Sequence, residues 1–83
     1  MLLEKSRKVE EAITLYEAII AQDFQDSYPY ERLAKLYFKR KMYADEVRVL
    51  QKAIAIFEKS TRNDARFKLF QFRTRLEKRI LTN

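Results

Sequence analysis

Residues 28–57 read YPYERLAKLYFKRKMYADEVRVLQKAIAIF, two amphipathic patterns with almost nothing between them. Tyr30, Leu33, Ala34, Leu36 and Tyr37 recur at steps of three and four where the pattern is apolar, the spacing that lines one face of an α-helix. RKMY at 40–43 interrupts this face without a glycine, and the pattern resumes with Val47, Leu50, Ala53, Ile54 and Phe57. Two helices that each have one face to bury, joined by a tight turn, make a helical hairpin. The second half of the stretch also has a precedent upstream. Val9, Ala12, Ile13, Tyr16 and Ile20 precede Tyr43, Glu46, Val47, Leu50 and Ile54 by one constant offset. A fixed period of this size, about 34 residues, marks stacked helical units.

The upstream pattern predicts a helix over about 8–22, with Glu10 and Glu11 near its positive N-terminal end. MLLEKSRK at 1–8 is too short for an independent helix. Because Leu3 stands one such period before Tyr37, this segment reads as the tail of a helix whose remainder is missing. Residues 23–26 form a polar connector, and Ser27 followed by Pro29 predicts the N-cap and first turn of a helix over 27–39. The next helix is expected over 44–58. Thr61 with Asp64 resembles a capping box ahead of a last helix over 62–81, on which Ala65, Leu69, Phe72, Leu76 and Ile80 align. The expected core comprises Ile13, Tyr16, Leu33, Leu36, Tyr37, Val47, Leu50, Ile54, Leu69, Phe72 and Leu76.

Composition supports the same fold class. The chain has no Gly and one Pro, with 36% charged and 47% hydrophobic residues; a β-rich fold needs turn residues that are missing here. A single all-α domain over 1–83 follows. Without Cys or His, disulfides, thiolate or imidazole metal sites and Cys–His or Ser–His catalysis are excluded within the chain. Without Gly, so are phosphate-cradling loops. The carboxylate pairs Glu10/Glu11 and Asp45/Glu46 are adjacent in sequence, so they project about 100° apart on a helix and do not converge on a substrate. No catalytic, metal or cofactor residue is expected, and the chain reads as a non-enzyme. Neither a long apolar run nor a signal-peptide pattern at Met1 is present, so a cytoplasmic chain without a membrane span is expected.

The hairpin residues resemble a tetratricopeptide repeat, a helix–turn–helix unit of about 34 residues with the pattern W-x2-L-G-x2-Y, A-x3-F, P. Here the slots read Tyr30-x2-Leu33-Ala34-x2-Tyr37, then Glu46-x3-Leu50, with Ala12-x3-Tyr16 in the upstream half-unit. The departures are Ala34 for Gly, Glu46 in a small-residue slot, and Glu58 where the Pro would fall. The resemblance covers 9–58 as one and a half repeats, with 62–81 as a C-terminal capping helix. It implies antiparallel helical hairpins in a fragment of a right-handed superhelix. Members of that family usually bind a peptide or partner helix in the groove formed by the first helix of each hairpin. By position, the groove residues here are Tyr28, Glu31, Arg32, Lys35, Phe38 and Lys39, a basic and aromatic surface suited to an acidic protein or peptide. The Lys/Asn/Arg set of relatives that hold a C-terminal carboxylate is absent from this helix. The alternative is that Arg32, Lys35 and Lys39 solvate an ordinary exposed face.

The excess charge sits at the C-terminal end. Residues 1–58 hold ten basic and ten acidic side chains, whereas 59–83 hold eight basic ones against Asp64 and Glu77. Cations interspersed with aromatics make nucleic acid a rival partner for the last helix, although the charges circle the helix and no recognised motif accompanies them. With Leu69 facing the core, Phe67, Phe70 and Leu81 point away. Together with Leu2 and Leu3 they form two loose apolar ends. One and a half repeats bury little, so self-association is expected, with a twofold homodimer the commonest closed form. Packing of the strip inside one domain, or a longer array, are the alternatives.

Overall fold

The computed structural model describes the backbone of residues 2–61 and 63–82 and the side chains of residues 8–61 and 63–81. Four helices account for the described chain: α1 Leu2–Ile20, α2 Tyr28–Lys39, α3 Tyr43–Glu58 and α4 Ala65–Thr82. The first boundary differs from expectation, since 2–8 continue α1 instead of ending an earlier helix. The segment contains no Gly or Pro to stop it, and Leu, Glu, Lys and Arg are good helix formers. The side chains of Leu2 and Leu3, expected at a self-association surface, lie outside the described ones.

The connections are short. α2 ends where the Lys41 N–H donates to Phe38 O at 3.0 Å and the Met42 N–H to Tyr37 O at 2.9 Å, the paired bonds of a Schellman motif. Lys41 takes φ 61°, the left-handed conformation that glycine ordinarily fills there. α1 closes with Gln22 and Asp23 N–H groups bonded three residues back, to Ile19 O and Ile20 O, and Asp23 has φ 55°. Ser27 occupies the N-cap of α2 but makes no side-chain cap bond. Its carbonyl accepts from the Glu31 N–H, and Asp26 Oδ1 instead accepts from the Tyr28 N–H at 3.3 Å. The expected Thr61 cap is displaced as well. α4 starts at Ala65 and the Asp64 carbonyl accepts from the Lys68 N–H, which leaves Thr61 outside the capping position.

Each helix packs on the next in chain order, forming a slab with extents of 42 × 29 × 17 Å. Side-chain pairs show the helix directions. Tyr30 at the start of α2 meets Phe57 at the end of α3, while Phe38 at the end of α2 meets Tyr43 at the start of α3. α3 and α4 also run antiparallel, because Glu46 pairs with Arg79 and Glu58 with Arg73. Glu10 reaches Arg40 and Tyr16 meets Tyr28, giving the same relation between α1 and α2.

The core is centred on α2 and α3. Tyr30, Leu33, Ala34 and Tyr37 meet Val49, Leu50, Ala53 and Phe57, with Ile20 from α1 and Phe72 from α4 completing the cluster. Tyr30, Phe57 and Phe72 form an edge-to-face trio, with ring centroids at 6.2, 6.4 and 5.5 Å. Each such pair contributes about 0.5–1.5 kcal/mol beyond burial, and the trio joins α2, α3 and α4. Of the expected core, Leu33, Tyr37, Leu50 and Phe72 are buried. Leu36, Val47, Ile54, Ile13, Tyr16, Leu69 and Leu76 are half-buried instead, because a slab of this thickness leaves much of each helix at its surface. Ile80, expected on the core side, is 58% exposed; it lies near the end of α4, beyond the aromatic trio.

Glu46 is fully buried at 0% exposure. Arg79 Nε donates to its Oε1 at 2.6 Å and Arg75 Nε to its Oε2 at 3.3 Å. A carboxylate in a small-residue slot is therefore tolerated, because two α4 guanidiniums pair with the charge that burial would otherwise leave uncompensated.

Candidate protein-interaction surface

On α2 the buried side chains occupy one face, which fixes what the opposite face presents. At 100° per residue, Tyr28, Arg32, Lys35 and Lys39 fall within about 60° of one another and point directly away from the core. All four are exposed. Arg32, Lys35 and Lys39 have no ion pair among the described residues, and so form a row of three unneutralised cations along about two helical turns. Tyr28 packs edge-to-face on Tyr16 of α1, with centroids at 6.1 Å.

Phe38 and Glu31 do not belong to this row, having rotated toward α4. The Arg79 guanidinium lies 4.3 Å from the Phe38 ring centroid and 5.0 Å from that of Tyr43, cation–π contacts that fix the edge of Phe38. Glu31 accepts from Lys68 Nζ at 3.4 Å across the gap between α2 and α4. Between the two helices a cavity of about 220 Å³ is lined by Glu31, Ala34 and Lys35 of α2, Leu50 of α3, and Gln71, Phe72 and Arg75 of α4. The groove therefore has a second wall. Sequence reasoning named the α2 wall and missed Gln71 and Arg75, although their separation by four, with Lys68 one turn earlier, puts all three on one flank of α4.

The remaining expected residues lie elsewhere. Phe67, Phe70 and Leu81 are 63%, 69% and 83% exposed on the outer face of α4, as their positions on the helix require. They do not line the groove.

On the other side of α2, Tyr37, Glu17 and Arg48 tie α1, α2 and α3 together. The Tyr37 hydroxyl donates to Glu17 Oε2, while Arg48 Nη1 donates to Oε1 at 3.2 Å and Nη2 to Oε2. Partial burial pushes the Glu17 carboxyl upward, but the Arg48 and Tyr37 hydrogen bonds outweigh it and hold the group below the usual carboxylate range. Burial and the bond to Glu17 raise the Tyr37 phenol to about 12. This network holds α1 at a fixed position beside the groove-bearing helix.

No cluster of three or more His, Cys, Asp or Glu suited to a metal occurs among the described residues, and no described helix is long and apolar enough to cross a membrane. The chain matches no protein-family model, no curated protein and no solved structure.

Proposed function

We propose that this chain is a cytoplasmic interaction module, a tetratricopeptide-like array of one and a half repeats wound as a right-handed superhelix, that holds an acidic segment of a partner protein between α2 and α4. The observation that carries the reading is the row Arg32, Lys35 and Lys39, without ion pairs among the described residues and facing outward, beside a cavity walled by Gln71 and Arg75. The constant offset between the α1 and α3 patterns supports the repeat assignment. An anionic peptide neutralises the row while its side chains enter the gap, and Phe38 offers an apolar edge at the groove's end. Charge complementarity of this kind sets register and association rate more than raw affinity.

Fluorescence anisotropy with an Asp/Glu-rich peptide tests the reading, with wild type compared to the R32E/K35E/K39E variant. Saturable binding that the variant loses supports it. The rival partner, nucleic acid, has one feature in its favour, exposed Phe67 and Phe70 among the cations of α4. A single-stranded RNA titrated over a salt series decides between them. Tight RNA binding with a steep salt slope, unaffected by the α2 reversals and with no response to the peptide, would sink the protein-binding reading.

A further inference from the structure

α1 and α4 lie at opposite ends of the helix stack, each with a helix neighbour on one side only. What their open faces carry is unequal. On α1 the outer face presents Leu15, 60% exposed, and Ala18, forming with Thr14 an apolar hollow rimmed by Glu10 and Glu11; Lys8 lies one turn before them. The period explains the exposure. Val49 occupies the α3 position that corresponds to Leu15 and is fully buried, because α3 has a helix on each side and α1 does not. On α4 the outer face presents Phe67, Phe70 and Leu81, with Thr74 between them and Arg66 and Lys78 alongside. Each face also carries the opposite sign, with Lys8 seven residues before Leu15 on α1 and Glu77 seven residues after Phe70 on α4, between Arg66 and Lys78. The helices also match in length, 19 residues against 18.

We propose that the outer face of α4 docks antiparallel on the outer face of α1 of a second copy, joining copies head to tail. Neighbouring helices within the chain already alternate in direction, so the contact continues the stack. It sets Phe67 against Ala18 and Phe70 against Leu15, and in the same register Glu77 comes opposite Lys8. A heterologous contact joins different patches, so it propagates into rings or open chains unless an end is blocked. The proposal uses a surface separate from the α2–α4 groove and stands independently of it.

Sedimentation velocity over a range from low to hundreds of micromolar, with two blocked variants, tests the proposal. F67S/F70S removes the α4 face and E11K/L15K reverses the α1 face; all four positions are exposed, and far-UV circular dichroism checks that each variant keeps the fold. The expected result is that wild type grows with concentration, each variant alone sediments as a monomer, and their equimolar mixture forms a dimer of twice the monomer mass. A wild type that stays monomeric throughout would overturn the proposal. So would an E11K/L15K variant that still dimerises alone, which would show α4 pairing with itself. The R32E/K35E/K39E variant is expected to associate like wild type, which separates this test from that of the groove.

Discussion

Arg79, close to the C-terminal end of α4, donates through Nε to Oε1 of Glu46 in the first turn of α3 at 2.6 Å, and its guanidinium also lies against the rings of Phe38 and Tyr43. One side chain thus connects α4 to both helices of the central hairpin. Glu46 has no exposure and Arg79 little, so the pair depends on both partners. Arg79→Ala is expected to cost about 3 kcal/mol, the low end for breaking a buried ion pair, because Arg75 remains on the Glu46 carboxylate. Arg75→Ala should cost less, its contact being longer and more exposed. Urea denaturation of E46A, R79A and the double variant measures the coupling: the double variant should lose much less than the sum of the singles.

Stability should depend on pH at both ends through the Glu17–Tyr37 pair. The Glu17 carboxyl is held below its ordinary value, so its contribution is fully present above about pH 4.5 and is lost as pH falls through the lower folded-state value. The Tyr37 phenol is raised from 10 to about 12, so its contribution is present below pH 10 and lost as pH rises toward 12. Thermal melts of wild type, E17Q and Y37F over a pH series check this. E17Q should show a shallower acid loss, and Y37F a shallower alkaline one.

Lys41 carries a left-handed backbone at the end of α2, where a residue with a Cβ is unfavourable by about 1–2 kcal/mol. Lys41→Gly should therefore raise stability by about 1 kcal/mol, part of the relief being lost to the greater freedom of glycine in the unfolded chain. A midpoint shift at unchanged denaturant slope would show this.

The two faces of α4 should respond very differently to truncation. Phe72 is buried in the aromatic trio, and Phe72→Ala should cost about 3–5 kcal/mol. Phe70 is mostly exposed, and Phe70→Ala should change monomer stability by no more than about 0.5 kcal/mol. Denaturation at low micromolar concentration keeps self-association from contributing.

Much of this arrangement was legible in the residues themselves. Steps of three and four placed four helices, and the turn at 40–42 was required to be tight although nothing in RKMY marks which residue takes the left-handed conformation. The outward direction of Phe67, Phe70 and Leu81 followed from helix geometry once Leu69 was set inward. Other features depend on partners distant in sequence. Glu46 stood out only as the wrong residue for its slot, since the two arginines that accommodate it stand on the last helix, whose register the repeat pattern does not fix. Gln71 and Arg75 escaped notice as groove residues for the same reason. The extension of α1 to Leu2 was hidden by the opposite fault, a period applied to a segment that has no breaker to separate it from the helix that follows.

Backbone amide NMR during titration with an Asp/Glu-rich peptide tests peptide binding in the groove between α2 and α4 most directly. Shifts concentrated at Arg32, Lys35, Lys39, Gln71 and Arg75, saturating together and lost in R32E/K35E/K39E, are the predicted result. Shifts confined to the outer face of α4 around Phe67 and Phe70, or none at saturating peptide, would contradict it.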